Sequence, residues 1–231
     1  KNSDQAIPYF REALALAPPD TSEYVRRYAK SLGKALTAAG HGAEAVALFE
    51  QAYARQPNSL LYKYDFDIHY YWALATLQLG EAQNEQGDRA RAEATWKKGI
   101  ERYLELGTQY ERQGDHPTAA ALWQEALAHC QKILAIQPTA ALYHQAGRGF
   151  QALGRYDEAI ASYRQSASLA QDTDGLYWTY VFLARNLQVT QRRQEAIYAL
   201  RAALNLRPRS GETHFALGIL YYTDHQFDQA A

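Results

Sequence analysis

A single cysteine, Cys130, leaves no intramolecular disulfide framework to build on. No run of 18 apolar residues exists, so the chain carries no membrane-spanning helix. No signal peptide is visible, and cytoplasmic placement is favoured. Neither sign of charge is in excess. The formal net charge is -1, which argues against coating a nucleic-acid duplex. No alternation of period two is sustained, so strands are not expected. Glycine-rich phosphate loops, nucleophile elbows and HExxH motifs are all missing, which removes the commonest phosphate-cradling, acyl-transfer and zinc-protease chemistries. The expected catalytic, cofactor and metal sites are none.

What is present is apolar residue in quantity, 47% over 231 residues, enough for a continuous core. The pattern is clearest over residues 140–171. Tyr143, Ala146, Gly147 and Phe150 recur at three- and four-residue spacing and share one helical face. Gly154 marks a turn, because glycine takes the backbone angles that end a helix at little cost. Asp157 and Glu158 open a second helix, where carboxylates suit the positive terminus. Ala159, Ile160 and Tyr163 then repeat the apolar spacing. Gly147 and Ala159, lacking bulk, are expected to let two antiparallel backbones approach.

This frame resembles the tetratricopeptide repeat, a 34-residue helix-turn-helix unit. Tyr143, Gly147, Phe150, Gly154, Ala159 and Tyr163 carry the match, and the frame recurs. Over 26–59 it shows Leu32, Gly33, Leu36, Gly40, Ala45, Phe49, Ala52 and Pro57. Over 177–210 it shows Tyr180, Leu183, Ala184, Leu187, Ala196, Leu200, Ala203 and Pro208. A half repeat over 1–19 holds Ala6, Phe10 and Ala13 before Pro18. A partial one over 211–231 holds Leu217, Gly218, Tyr221, Phe227 and Ala230. Residues 20–25 add an early helix start, capped at Thr21 or Ser22.

The middle departs from the frame. Repeat 60–99 keeps Leu79, Gly80, Gly87, Ala92 and Trp96, but a dozen helix-compatible residues precede the frame start. They read as an elongated first helix, or as a short extra helix before a normal one. Repeat 100–139 holds Tyr103, Leu106, Gly107, Tyr110, Gly114, Ala119, Trp123 and Ala126. No proline or turn cluster lies between Asp88 and Gln113, so one long helix is expected there, or two with a kink near Gly99 or Gly107. The next helix, 117–136, starts at Pro117 and is about two turns longer than usual.

The resemblance implies an all-α fold, a right-handed α-solenoid (superhelix) of antiparallel helix pairs over 1–231. First helices would line a concave groove and second helices the convex back. Each hairpin buries its apolar face only by stacking on its neighbours. It also implies ligand contacts from the second, fifth, ninth, twelfth and thirteenth places of each first helix. Here the ninth place holds Lys34, Arg148 and Arg185, the fifth Lys30 and His144, and the twelfth Gln151 and Gln188. Arginine forks suit carboxylates, and glutamine suits a peptide backbone. The family's clamp for chaperone C-terminal carboxylates needs asparagines in set places, and none stands there. Tyrosine is abundant, with Tyr62, Tyr64, Tyr70, Tyr71, Tyr177 and Tyr180 on first helices. These supply either contact area or packing in wider gaps.

Other motifs carry less. His129 and Cys130 are adjacent, so on a helix they point about 100° apart and share no metal. The Asp65–Asp67 triplet is similar to the acidic metal motifs of sugar transferases, but no Rossmann-like strand pattern accompanies it. His69 beside Tyr70, Tyr71 and Trp72 reads as aromatic packing. The reading is a non-enzymatic scaffold that binds a protein or peptide segment of acidic character, with no nucleic acid. The alternative is the repeat portion of a larger enzyme of glycosyltransferase or polysaccharide polymerase type. The chain starts without Met and has no polar capping helix at either end. It is therefore expected to be a piece of a longer protein, with bare faces at Ala6, Ile7 and Phe10 and at Leu217, Leu220 and Tyr221. Those faces would support end-to-end self-association.

Overall fold

The computed structural model describes residues 2–17, 22–55 and 66–228. Among them the chain forms eleven helices and no strand. They are α1 (Asn2–Ala15), α2 (Ser22–Ala38), α3 (Gly42–Arg55), α4 (Phe66–Glu85), α5 (Arg89–Arg112) and α6 (His116–Leu134), followed by α7 (Ala140–Ala152), α8 (Tyr156–Leu169), α9 (Thr173–Val189), α10 (Arg193–Leu206) and α11 (Gly211–Asp228). The chain is all-α and built of helix pairs. It divides into two compact units, Lys1–Leu122 and Trp123–Ala231.

Four turns share one device. Gly40, Gly87, Gly114 and Gly154 have φ of 83°, 84°, 84° and 71°. In each, the next amide reaches back across the turn: His41 N–H to the Leu36 carbonyl at 2.8 Å, and Arg155 N–H to the Phe150 carbonyl at 2.9 Å. That bond closes the last helical turn and satisfies a carbonyl otherwise left open. The α9–α10 turn makes the same bond, Arg192 N–H to the Leu187 carbonyl at 2.8 Å, but with Gln191 at φ 59°. A side chain is tolerated there at a conformational cost that glycine avoids.

The middle of the chain resolves into long helices. α5 is one continuous helix of 24 residues with no break at Gly99 or Gly107. Asp88 starts it by accepting from the Arg91 amide at 3.2 Å. α4 runs 20 residues, and an extra short helix before it would fall on residues 56–65, outside those described. α6 opens at His116 with Pro117 in its first turn, where no intrahelical N–H is needed. Early in the chain, α2 begins at Ser22.

α8 opens at Tyr156 with Asp157 and Glu158 in its first turn, as expected, and its N-cap Arg155 makes no side-chain capping bond. Instead Arg155 pairs with Glu158 at 2.8 Å. The space that Gly147 leaves is taken by a ring of the second helix, and Ala159 is fully buried. A Cβ on Gly147 would stand 2.7 Å from the Tyr163 ring, sixteen residues later. Gly33 stands in the same relation to Phe49, and Gly80 to Trp96. In these three pairs the small residue of the first helix is thus a socket for an aromatic of the second. Phe49, Trp96 and Tyr163 are each at most 2% exposed.

In the first unit, Leu32, Leu36, Phe49 and Trp72 form one buried cluster. In the second, Ile160, Tyr163, Leu183, Leu187 and Leu200 form another. Of the terminal residues expected to be bare, Ile7 and Leu220 are buried, while Ala6, Phe10, Leu217 and Tyr221 are half-buried. Ile7 is 5% and Leu220 6% exposed, with Phe10 packed against the first cluster and Leu217 and Tyr221 against the second. No described helix is long and apolar enough to cross a membrane.

Candidate functional site

The second unit brings five of the seven groove candidates onto two first helices. α7 carries His144, Arg148 and Gln151 on one face at i, i+4 and i+7. α9 carries Arg185 and Gln188. Between them stands the buried ring of Tyr163 from α8. Phe182 of α9 stacks on that ring, with centroids 5.9 Å apart and planes 21° apart. His144 meets both rings edge-on, at 5.4 Å to Tyr163 and 5.3 Å to Phe182. Burial pushes the Tyr163 phenol well above its ordinary range, and the positive charges of Arg148 and Arg185 oppose that shift. Both guanidinium groups are therefore electrostatic neighbours of one hydroxyl.

These residues divide into two kinds. His144 and Gln151 are spent on the scaffold. His144 Nδ1 lies 3.0 Å from Thr179 Oγ1. Gln151 Oε1 accepts from Asn186 Nδ2 at 2.8 Å and from the Tyr163 hydroxyl at 3.3 Å. Asn186 is 1% exposed, so this polar pairing is part of the core. Arg148 and Arg185 are not spent. Arg148 donates to the neutral Gln145 Oε1, at 3.1 Å. Arg185 lies over the Phe182 ring at 5.7 Å. Neither meets a carboxylate among the described residues, whereas Arg155, Arg164, Arg192 and Arg207 in the same unit each do.

Gln188 lines a cleft between α9 and α11, together with Val181, Ala184, Arg185, Glu212, Thr213 and Ala216. At the other end of the same helix pair lies a larger open cavity of about 560 Å³. Tyr177, Trp178, Arg207, Pro208, Ser210 and Glu212 wall it. Arg207 stacks 4.3 Å over the Tyr177 ring and pairs with Asp174 at 2.7 Å. The Tyr177 hydroxyl is bonded to Ser210 and Thr213 at 2.9 and 2.8 Å, so Tyr177 is a packing residue.

The remaining two candidates, Lys30 and Lys34, lie on α2 in the first unit. Lys30 pairs with Asp67 at 2.8 Å, and the Lys34 ammonium sits 5.0 Å from the Tyr71 ring centroid. Asp67 is thereby an ion-pair partner, and Asp65 lies outside the described residues. His69 stacks on Trp72 at 6.4 Å, and Tyr70 packs edge-on against Tyr103 at 5.5 Å. Tyr62 and Tyr64 lie outside the described residues. Cys130 is buried, and burial pushes its thiol up to about 12, which keeps it protonated and unreactive.

Selecting charged and amide side chains passes over an apolar set. Trp178, Val189, Phe215, Ile219 and Tyr222 are 41%, 51%, 71%, 47% and 67% exposed. The signal was legible. The same second, fifth, ninth and twelfth places hold Glu212, Phe215, Ile219 and Tyr222 in the partial repeat, and Trp178 and Val189 take the second and thirteenth in the repeat before it.

Comparison with known proteins follows this geometry. Residues 100–172 match the tetratricopeptide repeat family. No curated protein matches the chain in sequence. Among solved structures, a thermophilic TPR protein of Thermus thermophilus is similar in fold, with 23% identity and a TM-score of 0.51 over 85% of this chain and 98% of that one. An assembly chaperone of RpL4 (Acl4) aligns over 99% of this chain and 93% of its own, with 13% identity and a TM-score of 0.50.

Proposed function

Because residues 100–172 carry tetratricopeptide repeats within an all-α chain of helix pairs, we propose that this protein is a non-enzymatic interaction scaffold, and that its second unit binds an acidic protein segment across α7 and α9. The observation that carries the reading is the pair of arginines beside Tyr163. Arg148 and Arg185 flank one buried hydroxyl, and neither is ion-paired among the described residues, with Glu212 lining the cleft beside Arg185. A guanidinium beside an aromatic floor is a strong site for a carboxylate, because its fork geometry and partial desolvation favour a charge-assisted hydrogen bond. His144 and Gln151 support the reading indirectly. Their bonds to Thr179, Asn186 and Tyr163 fix α7 against its neighbours and so hold the spacing of the two cations. Gln188, beside Arg185 in the cleft, is suited to a peptide backbone group.

The test is selection of binders from a phage-displayed library of random 12-residue peptides against the intact chain. The best binder is then titrated by fluorescence anisotropy. The reading expects enrichment of Asp and Glu. It also expects Arg148→Glu with Arg185→Glu to weaken binding at least tenfold, since hydrogen bonds to charged groups contribute about 1.5–3 kcal/mol. Helicity should be unchanged. Equal affinity for both proteins, or selected peptides with no acidic bias, would sink it.

A further inference from the structure

We infer that Glu212 is an internal counter-ion of the proposed site: its carboxylate shields Arg185 in the free protein, and the acidic residue of the partner segment displaces it. This concerns how the site is regulated, and it rests on the proposed function. The first observation is the cleft between α9 and α11. Arg185 and Gln188 line it on one side, and Glu212, Thr213 and Ala216 on the other. Its volume is about 130 Å³, room for roughly four waters at about 30 Å³ each. Opposite charges across so small a gap act on one another without touching. Arg185 and Glu212 are both exposed, and neither is ion-paired among the described residues. The Arg185 guanidinium lies over the Phe182 ring instead.

The second observation is how Glu212 is held. It stands in the first turn of α11, where the helix dipole favours a carboxylate. The residues flanking it are tied to α9. The Tyr177 hydroxyl bonds Ser210 Oγ at 2.9 Å and Thr213 Oγ1 at 2.8 Å, and Ser210 Oγ accepts from the Thr213 amide at 3.2 Å. The backbone of Glu212 is thus fixed against the helix that carries Arg185, while its side chain stays in solvent. The third observation is a second cation. Glu212 also walls the larger cavity, together with Arg207 and Arg209. Arg207 is paired with Asp174, whereas Arg209 is exposed. A carboxylate that turns away from Arg185 has Arg209 to turn to, which lowers the cost of displacing it.

The arrangement makes the two arginines unequal. Arg148 donates to the neutral Gln145 amide. Arg185 shares its cleft with an anion. A carboxylate arriving at Arg185 is repelled by Glu212 until that side chain turns away. Glu212 therefore lowers the affinity for acidic segments and acts through Arg185, not through a contact of its own. The interaction is between exposed groups, so its size is a few-fold at low salt and fades as salt screens it.

The test is a cycle of four proteins: the unsubstituted chain, Glu212→Gln, Arg185→Gln and the double variant. Each is titrated by fluorescence anisotropy with the acidic 12-residue peptide selected above, at low and at high salt. Glu212→Gln should tighten the peptide about threefold at low salt, the size of one interaction between exposed charges, and less at high salt. In the Arg185→Gln background the same change should have little effect. Both positions are exposed, so the variants should fold, which circular dichroism would verify. Unchanged binding in Glu212→Gln overturns the inference. Weaker binding also overturns it, by making Glu212 a contact for a basic residue of the segment. Equal tightening with and without Arg185 overturns it as well, since the repulsion would then be general. In these three cases, weaker binding in Arg185→Gln leaves the arginine site standing. Full affinity in Arg185→Gln, or selection that yields no binder, overturns the arginine site and this inference together.

Discussion

The two units solve one packing problem with different materials. In the first, the seams are filled by aromatic rings. Phe49 and Trp72 lie 6.2 Å apart, Tyr70 packs against Tyr103, and the Arg102 guanidinium lies 3.5 Å over the Trp72 ring. Burial lowers the Arg102 pKa against the pull of nearby carboxylates, led by Glu105. The first also has Gln78 Nε2 donating to the Thr37 carbonyl at 3.0 Å, but in the second unit, beside the stacked Tyr163 and Phe182 rings, the seams carry several hydrogen bonds that cross between helices. Ser166 reaches the Ala140 carbonyl at 2.8 Å and Thr179 at 3.2 Å. Asn186 reaches Gln151, and Tyr177 reaches Ser210 and Thr213. Rings tolerate small sliding, whereas buried donors and acceptors must meet at one register or remain unsatisfied. The difference suggests why the candidate site lies in the second unit. A polar network that fixes helix register also fixes the distance between Arg148 and Arg185.

The hardest blow to that contrast falls on the aromatic side. Trp96 is 1% exposed and fills the socket left by Gly80. Trp96→Ala should cost about 3–5 kcal/mol, read as a shift in urea midpoint with the slope retained. A loss below about 1 kcal/mol would mean that the long helices of the first unit close over the gap.

A finer comparison uses threonine in both units. Thr179 bonds its own helix at the Gly175 carbonyl, 2.9 Å away, but also meets Ser166 and His144 on other helices. Thr37, equally buried, bonds its own helix, at the Gly33 carbonyl 2.7 Å away. Thr179→Val should therefore cost about 1–3 kcal/mol, because polar partners on other helices are left buried. Thr37→Val should cost about 1 kcal/mol or less, because the lost bond is local. Equal losses in thermal melts would erase the distinction between the units.

The smallest expected effect separates surface from seam. Glu195 of α10 is held by Arg192 of its own helix boundary and by Arg164 of α8. Its carboxyl is pulled below the usual value of 4.5, chiefly by the hydrogen bond from Arg192. A lowered folded-state pKa means stability that is present above the ordinary carboxylate range and lost as pH falls through the folded value. Glu195→Gln should then narrow the difference from the unsubstituted chain on acidification below pH 4.5. Because the group is exposed, the change should also shrink with added salt. A gap in melting temperature that holds constant from neutral to strongly acidic pH would refute the assignment.

Much of this architecture could be read from residue spacing alone. Helix pairs and glycine turns at 40, 87, 114 and 154 follow from local rules, the 3.6-residue period and a positive-φ residue at the turn, whereas the stretch after Asp88 allowed one long helix or a kinked pair and the structure forms one. Three things were not local. Gly147 reads as small in sequence, but only packing reveals that Tyr163 occupies its space. Gln151 and His144 read as open contacts, but contacts from neighbouring helices make them structural. Phe215, Ile219 and Tyr222 stand at contact places in the sequence and are passed over for charged and amide side chains, and only the fold shows how far they are exposed. Sequence period determines which residues share a face. Which of those faces is buried depends on where the neighbouring helices lie, and that is a property of the tertiary structure.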